Sequence, residues 1–149
     1  MKIAIVEDEM IIANNITDLL ESKGHEVLEP CVTYGEAIEM LETESPDMVF
    51  LDINLAGKKD GIDVAQKIDS EFALPYIFLS SFSDEATLER VKETSPMGYL
   101  VKPFKKEDLF TSLELAVHKF NNLKGVAEKK KDDSFFIKSG DLYHKIMFD

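Results

Sequence analysis

The chain has 149 residues, 44% of them hydrophobic, which is enough for one domain with its own core and excludes a disordered chain. Its 29 acids against 17 bases give a net charge of −12; residues 1–121 carry 24 acids and 11 bases and the remainder 5 acids and 6 bases, so the main body repels nucleic acid at long range. The lone cysteine, Cys31, excludes an intramolecular disulfide and suits a reducing cytoplasm, and no apolar run approaches the ~20 residues of a membrane span. Met1 leads straight into a strand without a signal-peptide pattern.

The elements alternate along the chain. Lys2–Val6, within the almost wholly apolar run Met1–Val6, reads as a strand buried on both faces. Ile12, Ile16 and Leu19 then recur at helical spacing, with Gly24 as the stop. His25–Glu29 is a second short strand. Glu36–Glu44 is a helix with Ala37, Ile38 and Leu41 inward, ended by Ser45-Pro46 because a residue before proline avoids the α region. Asp47–Leu51 is the third strand and Ile53–Asp60 a loop. Gly61 opens a helix whose inner face is Ile62, Ala65 and Ile68. Tyr76–Leu79 is the fourth strand. Ser83 is placed to cap a helix over Asp84–Glu93 with Leu88 and Val91 as its apolar pair. Met97–Val101 is the fifth strand, and Lys105–Phe120 an amphipathic helix carrying Leu109, Leu113, Val117 and Phe120. Strands alternating with helices imply an α/β fold, a parallel sheet covered on both faces.

The composition changes near residue 122. Residues 122–133 hold Gly125, lysines 129–131 and two aspartates and read as a charged linker. Residues 134–149 contain Phe135-Phe136-Ile137, Ser139-Gly140-Asp141 and Leu142–Phe148, the pattern of a β-hairpin. Sixteen residues cannot bury a core of their own, so this hairpin is expected to dock on something or to be the start of a truncated unit.

The polar residues that end the strands carry the chemistry. Glu7 and Asp8 follow the first strand, Asp52 the third, Ser80 the fourth and Lys102 the fifth. In an open α/β sheet these positions fall at the carboxyl edge, where ligands bind. Three converging carboxylates repel one another, and a hard divalent cation with oxygen ligands relieves that; Mg²⁺ fits when coordination is left for water and phosphate. A metal site, a carboxylate nucleophile, a hydroxyl and an ammonium are the parts of phosphoryl transfer, with Asp52 as the natural nucleophile.

In this combination the first 121 residues resemble the receiver domain of two-component response regulators. The resemblance implies a flavodoxin-like, doubly wound five-stranded parallel sheet of order 2-1-3-4-5. It implies that Glu7, Asp8, Asp52 and the backbone carbonyl of Asn54 hold Mg²⁺, and that Asp52 accepts a phosphoryl group from a sensor histidine kinase. It assigns Ser80 and Lys102 to the phosphoryl oxygens, makes Ser80 and Tyr99 the switch pair, and makes the Lys102-Pro103 bond cis. The first acid is glutamate where aspartate is commoner, and both are used in the family. The switch is expected to shift the face formed by residues 84–121, to favour a homodimer on phosphorylation, and to perform no catalysis beyond its own phosphorylation and dephosphorylation. Phe135-Phe136-Ile137-Lys138 through Tyr143-His144-Lys145-Ile146 resembles the opening hairpin of a LytTR-type DNA-binding domain, which implies DNA binding and transcription regulation only in the intact protein.

Two rivals are weighed. A Mg²⁺-dependent aspartyl-phosphate phosphatase or phosphotransferase of the haloacid-dehalogenase-like type needs Asp-x-Asp after the first strand, whereas this chain has Glu7-Asp8 there and Asp52-Ile53-Asn54 later. A pseudo-receiver that only binds is disfavoured because every expected side chain is present. Taken singly, Tyr99 reads as a core aromatic with a wet hydroxyl, and Cys31 as a small buried apolar side chain. His25, His118 and His144 share no metal-like spacing.

Overall fold

Five parallel strands form one sheet in the order 2-1-3-4-5, as anticipated. This computed structural model describes residues 1–81 and 84–132, with side chains as far as 124. In chain order the elements are β1 (Lys2–Val6), α1 (Met10–Ser22), β2 (Glu26–Val27), α2 (Tyr34–Glu44), β3 (Met48–Asp52), α3 (Gly61–Lys67), a π-type turn (Ile68–Phe72), β4 (Tyr76–Ser80), α4 (Glu85–Val91), β5 (Gly98–Val101) and α5 (Lys106–Asp132).

Successive strand residues feed opposite cores, which is why the strands are apolar throughout. Ile3, Ile5, Met48, Phe50, Ile77 and Leu79 pack under α1 and α5. Ala4, Val6, Val49, Leu51, Tyr76 and Phe78 pack under α2 and α3. The register pairs Val6 with Leu51, Asp52 with Leu79, and Ser80 with Val101, so β1, β3, β4 and β5 stop nearly level. The residues that follow or end them therefore share one edge.

Several expectations need correction. α1 buries Ala13, Ile16 and Leu20 fully and α2 Ala37, Met40 and Leu41, while Ile12, Leu19 and Ile38 pack on the core as partly buried neighbours. A period places a stripe but not its centre; the strand's own side chains decide which flank is covered. β2 keeps only two of its five expected residues. α4 buries none of its residues, and Leu88 is exposed. Its N-cap is Asp84, which accepts the Thr87 N–H at 2.7 Å; Ser83, expected in that role, lies outside the described residues. α5 buries Leu109, Leu113, Ala116 and Leu123, and it continues past Phe120 to Asp132. The continuation contains Ala127, Glu128 and four lysines, all strong helix formers that outweigh the one Gly125. The charged segment is therefore helical as far as 132. The expected hairpin at 134–149 lies outside the described residues.

Candidate phosphoacceptor site

Asp52 ends β3 with its side chain buried, and its Oδ1 accepts the main-chain N–H of Asn54 at 3.1 Å. Its Oδ2 lies 3.3 Å from the Lys102 ammonium. That ammonium also sits 2.5 Å from Glu7 Oε1 and 3.9 Å from Glu9 Oε1. Lys102 thus stands between two fully desolvated carboxylates. Burial alone would lower its proton affinity, but the contacts with Glu7 and Asp52 outweigh burial and hold it above the ordinary lysine value. Ser80 is fully buried at the end of β4, and its carbonyl accepts the Lys102 N–H at 2.7 Å, which locks the ends of β4 and β5 together. The Lys102-Pro103 peptide is cis.

Glu7 has no exposed surface, while Asp8 beside it is half-buried. The Glu9 N–H donates to Glu7 Oε2 at 3.1 Å. Burial, reinforced by the neighbouring Asp52 carboxylate and opposed by Lys102, pushes the Glu7 carboxyl up to about 7. Glu7, Asp8 and Asp52 each present an oxygen within 4.8 Å of the others, the one such metal-ligating group among the described residues. Three hard oxygen donors, one of them with raised proton affinity, are a donor set that suits a small divalent cation.

The loop between Asp52 and Gly61 is pinned at its far end. Lys59 lies over the Tyr34 ring, 4.6 Å from its centre, and Asp60 caps α3 by accepting N–H groups of Ile62 and Asp63. Gly57 takes φ +103°, a conformation that favours glycine. Tyr99 packs edge-on to Phe78 at 6.3 Å, and its hydroxyl is buried with no hydrogen-bond partner among the described residues. That corrects the expectation of a wet hydroxyl. Cys31 is buried as expected, and burial with Glu36 and Glu39 pushes its thiol up to about 11, away from nucleophilic chemistry. Sequence reasoning missed Glu9 and Arg90. Glu9 could have been found as the third acid of the run that ends β1; Arg90 carries no local signal.

A family model described as the response regulator receiver domain matches residues 3–114. The chain belongs to this family. The receiver domain is 35% identical over 122 residues to the transcriptional regulatory protein PdtaR of Mycobacterium tuberculosis, covering 82% of this chain and 59% of that protein. It is 30% identical over 142 residues to the sensory transduction protein LytR of Staphylococcus saprophyticus, covering 95% of this chain and 54% of that protein. The latter alignment leaves too few residues uncovered to stop at 121, so it enters the tail. The chain spans a little over half the length of these curated relatives. Among solved structures, the signal receiver domain of a modulated diguanylate cyclase from Desulfovibrio desulfuricans superposes with a TM-score of 0.76 at 36% identity, covering 80% of this chain and 95% of that one.

Proposed function

We propose that this receiver domain is a phosphorylation-dependent switch in which Asp52 accepts a phosphoryl group from a sensor histidine kinase. The observation that carries this reading is the Asp52 carboxylate, buried at the sheet's carboxyl edge against Lys102 and within reach of Glu7 and Asp8. An Asp52 oxygen attacks the phosphorus, the phosphorus–nitrogen bond of the donor's phosphohistidine breaks, and the imidazole leaves with a proton. Glu7, Asp8, Asp52 and the Asn54 carbonyl would hold Mg²⁺, which when bound offsets charge on the phosphoryl oxygens. Lys102 pairs with the same oxygens by moving its ammonium off Asp52, and the Ser80 hydroxyl donates to them. Nothing in this reading requires turnover of a free substrate, so the domain is a switch rather than an enzyme.

The test is intact mass after incubation with acetyl phosphate and Mg²⁺. The wild-type chain is expected to gain one phosphoryl group and Asp52→Asn none. A persistent single adduct on the variant would move the nucleophile elsewhere.

The output reading rests on Ser80 and Tyr99. A phosphoryl group draws Ser80 toward Asp52, and the inward position of Tyr99, with its hydroxyl buried, is the arrangement that this movement favours. The segment 84–121 carries exposed Leu88, Val101 and Leu115, surface available to a second copy. Phosphorylation is expected to strengthen self-association there, read as a faster-sedimenting species with beryllofluoride and Mg²⁺ than without. Identical sedimentation over a wide concentration range would remove the dimer. In the intact protein the output is transcriptional, through a LytTR-type DNA-binding unit that begins at 134–149; the LytR alignment extending into the tail supports this. The proposed setting is the cytoplasm. Among the described residues no helix is long and apolar enough to cross a membrane.

A further inference from the structure

Helix α4 buries no residue, and its contribution to the core is the partly buried Val91. Among the described residues, Arg90 ties it to the body by ion pairs. Arg90 Nη1 lies 2.6 Å from Asp60 Oδ2, while Nη2 lies 3.1 Å from Asp60 Oδ1 and 3.4 Å from Asp63 Oδ1. Asp60 is at the same time the N-cap of α3. Burial would raise its carboxyl, but Arg90 and the donated N–H groups outweigh burial and hold it below the usual range. The next residue, Gly61, donates its N–H to the Ile53 carbonyl at 2.9 Å, and a Cβ there would collide with the Asp52 carbonyl. From the guanidinium to the main chain of Asp52 the path is therefore Asp60, then Gly61.

We propose that Arg90 is a positioning residue that couples α4 to the backbone of Asp52 through the Asp60 cap, a route separate from Ser80 and Tyr99. It rests on Asp52 being the phosphoacceptor. A group bound at Asp52 steadies residues 52–61; the steadied Asp60 keeps both guanidinium contacts; α4 is then held more firmly. Arg90 is nearly half exposed, so the contact is worth a factor of about two to five, not more.

The experiment is amide hydrogen exchange over residues 85–91, with and without beryllofluoride and Mg²⁺. In the wild type the phosphoryl mimic is expected to slow exchange in α4 by about threefold. Arg90→Gln has nearly the same helix propensity. It is expected to exchange about threefold faster in the free state and to lose the response. Arg90→Lys keeps the charge at the helix end but not the two-pronged contact, and is expected to lose most of the response too. One molar salt should weaken the wild-type response and leave Arg90→Gln unchanged. A wild-type response in either variant overturns the proposal. Binding of the mimic is read separately, from protection at residues 52–55. If no protein shows it, the phosphoacceptor reading fails, and the free-state comparison of wild type with Arg90→Gln still decides whether Arg90 holds α4: equal rates there would overturn the latch.

Discussion

Without divalent cations, the stability of the wild-type chain relative to Glu7→Gln is expected to fall by up to about 3 kcal/mol as pH rises from 4.5 to 7.5. The folded state holds the Glu7 proton up to about pH 7, from an ordinary value of 4.5, because burial and Asp52 disfavour the second anion. Between those values the folded chain binds more protons than the unfolded one, so raising the pH favours unfolding. The loss begins near the unfolded value and is complete above the folded one. Glu7→Gln keeps the shape and removes the charge, so its stability lacks this component. His25 acts in the opposite direction, since burial and the N-terminal amine hold its ring below 6.5. Asp69, raised by burial, acts in the same direction as Glu7. Both are common to the two proteins and cancel in the difference. Urea titrations of the pair at several pH values in EDTA measure it. A difference that stays constant with pH would show that Glu7 is ionised throughout and that Lys102 fully compensates it.

Gly61→Ala is expected to cost about 3 kcal/mol and to slow phosphorylation of Asp52, the largest loss from an added methyl group at any of the described glycines. The reason is space, not backbone conformation: the added carbon would overlap the carbonyl group of Asp52 and crowd the Cα of Ile53. All three are main-chain atoms, so relief requires α3 and the end of β3 to separate. The Gly61–Ile53 hydrogen bond and the Asp60 cap would be disturbed together. Gly35→Ala is the control. Gly35 lies in the first turn of α2 with nothing within 4 Å of an added carbon. There the substitution should gain about 0.5 kcal/mol through helix propensity and reduced freedom of the unfolded chain. Thermal unfolding of the two variants, with the rate of mass gain from acetyl phosphate, checks both. A Gly61→Ala protein as stable as wild type would mean that α3 can slide off β3 freely.

The strand ends were legible because buried parallel strands are apolar on both faces and stop where polar residues begin. Glu7, Asp8, Asp52, Ser80 and Lys102 could be placed at one edge from that rule alone, and the observed register puts the ends of β1, β3, β4 and β5 level. Helix faces were less legible. Ile12 and Leu19 are good apolar residues at helical spacing and pack on the core, yet Ala13 and Leu20 are the fully buried ones. Spacing defines a stripe only to within about one residue, and the final rotation is chosen by Ile3, Ile5 and Phe50 beneath it. The end of α5 was misjudged for a different reason. A charged segment reads as a linker by composition, although its lysines, glutamate and alanine are compatible with helix.

By itself, then, the order of apolar runs and polar strand ends determined the α/β alternation, a parallel sheet covered on both faces and the identity of the carboxylates at its edge, while the strand order followed from the family resemblance. These are local signals, each readable within a window of ten residues. What only the tertiary structure decided lies between residues far apart in sequence. Lys102 lodges between Glu7 and Asp52, and Glu7 becomes a proton-holding group because that contact and its burial exist only in the fold. Arg90 reaches Asp60 across 30 positions. Gly61 is required where it stands because the Asp52 carbonyl occupies the place of its side chain. Each depends on distance and desolvation, and neither quantity is defined until the chain has closed on itself.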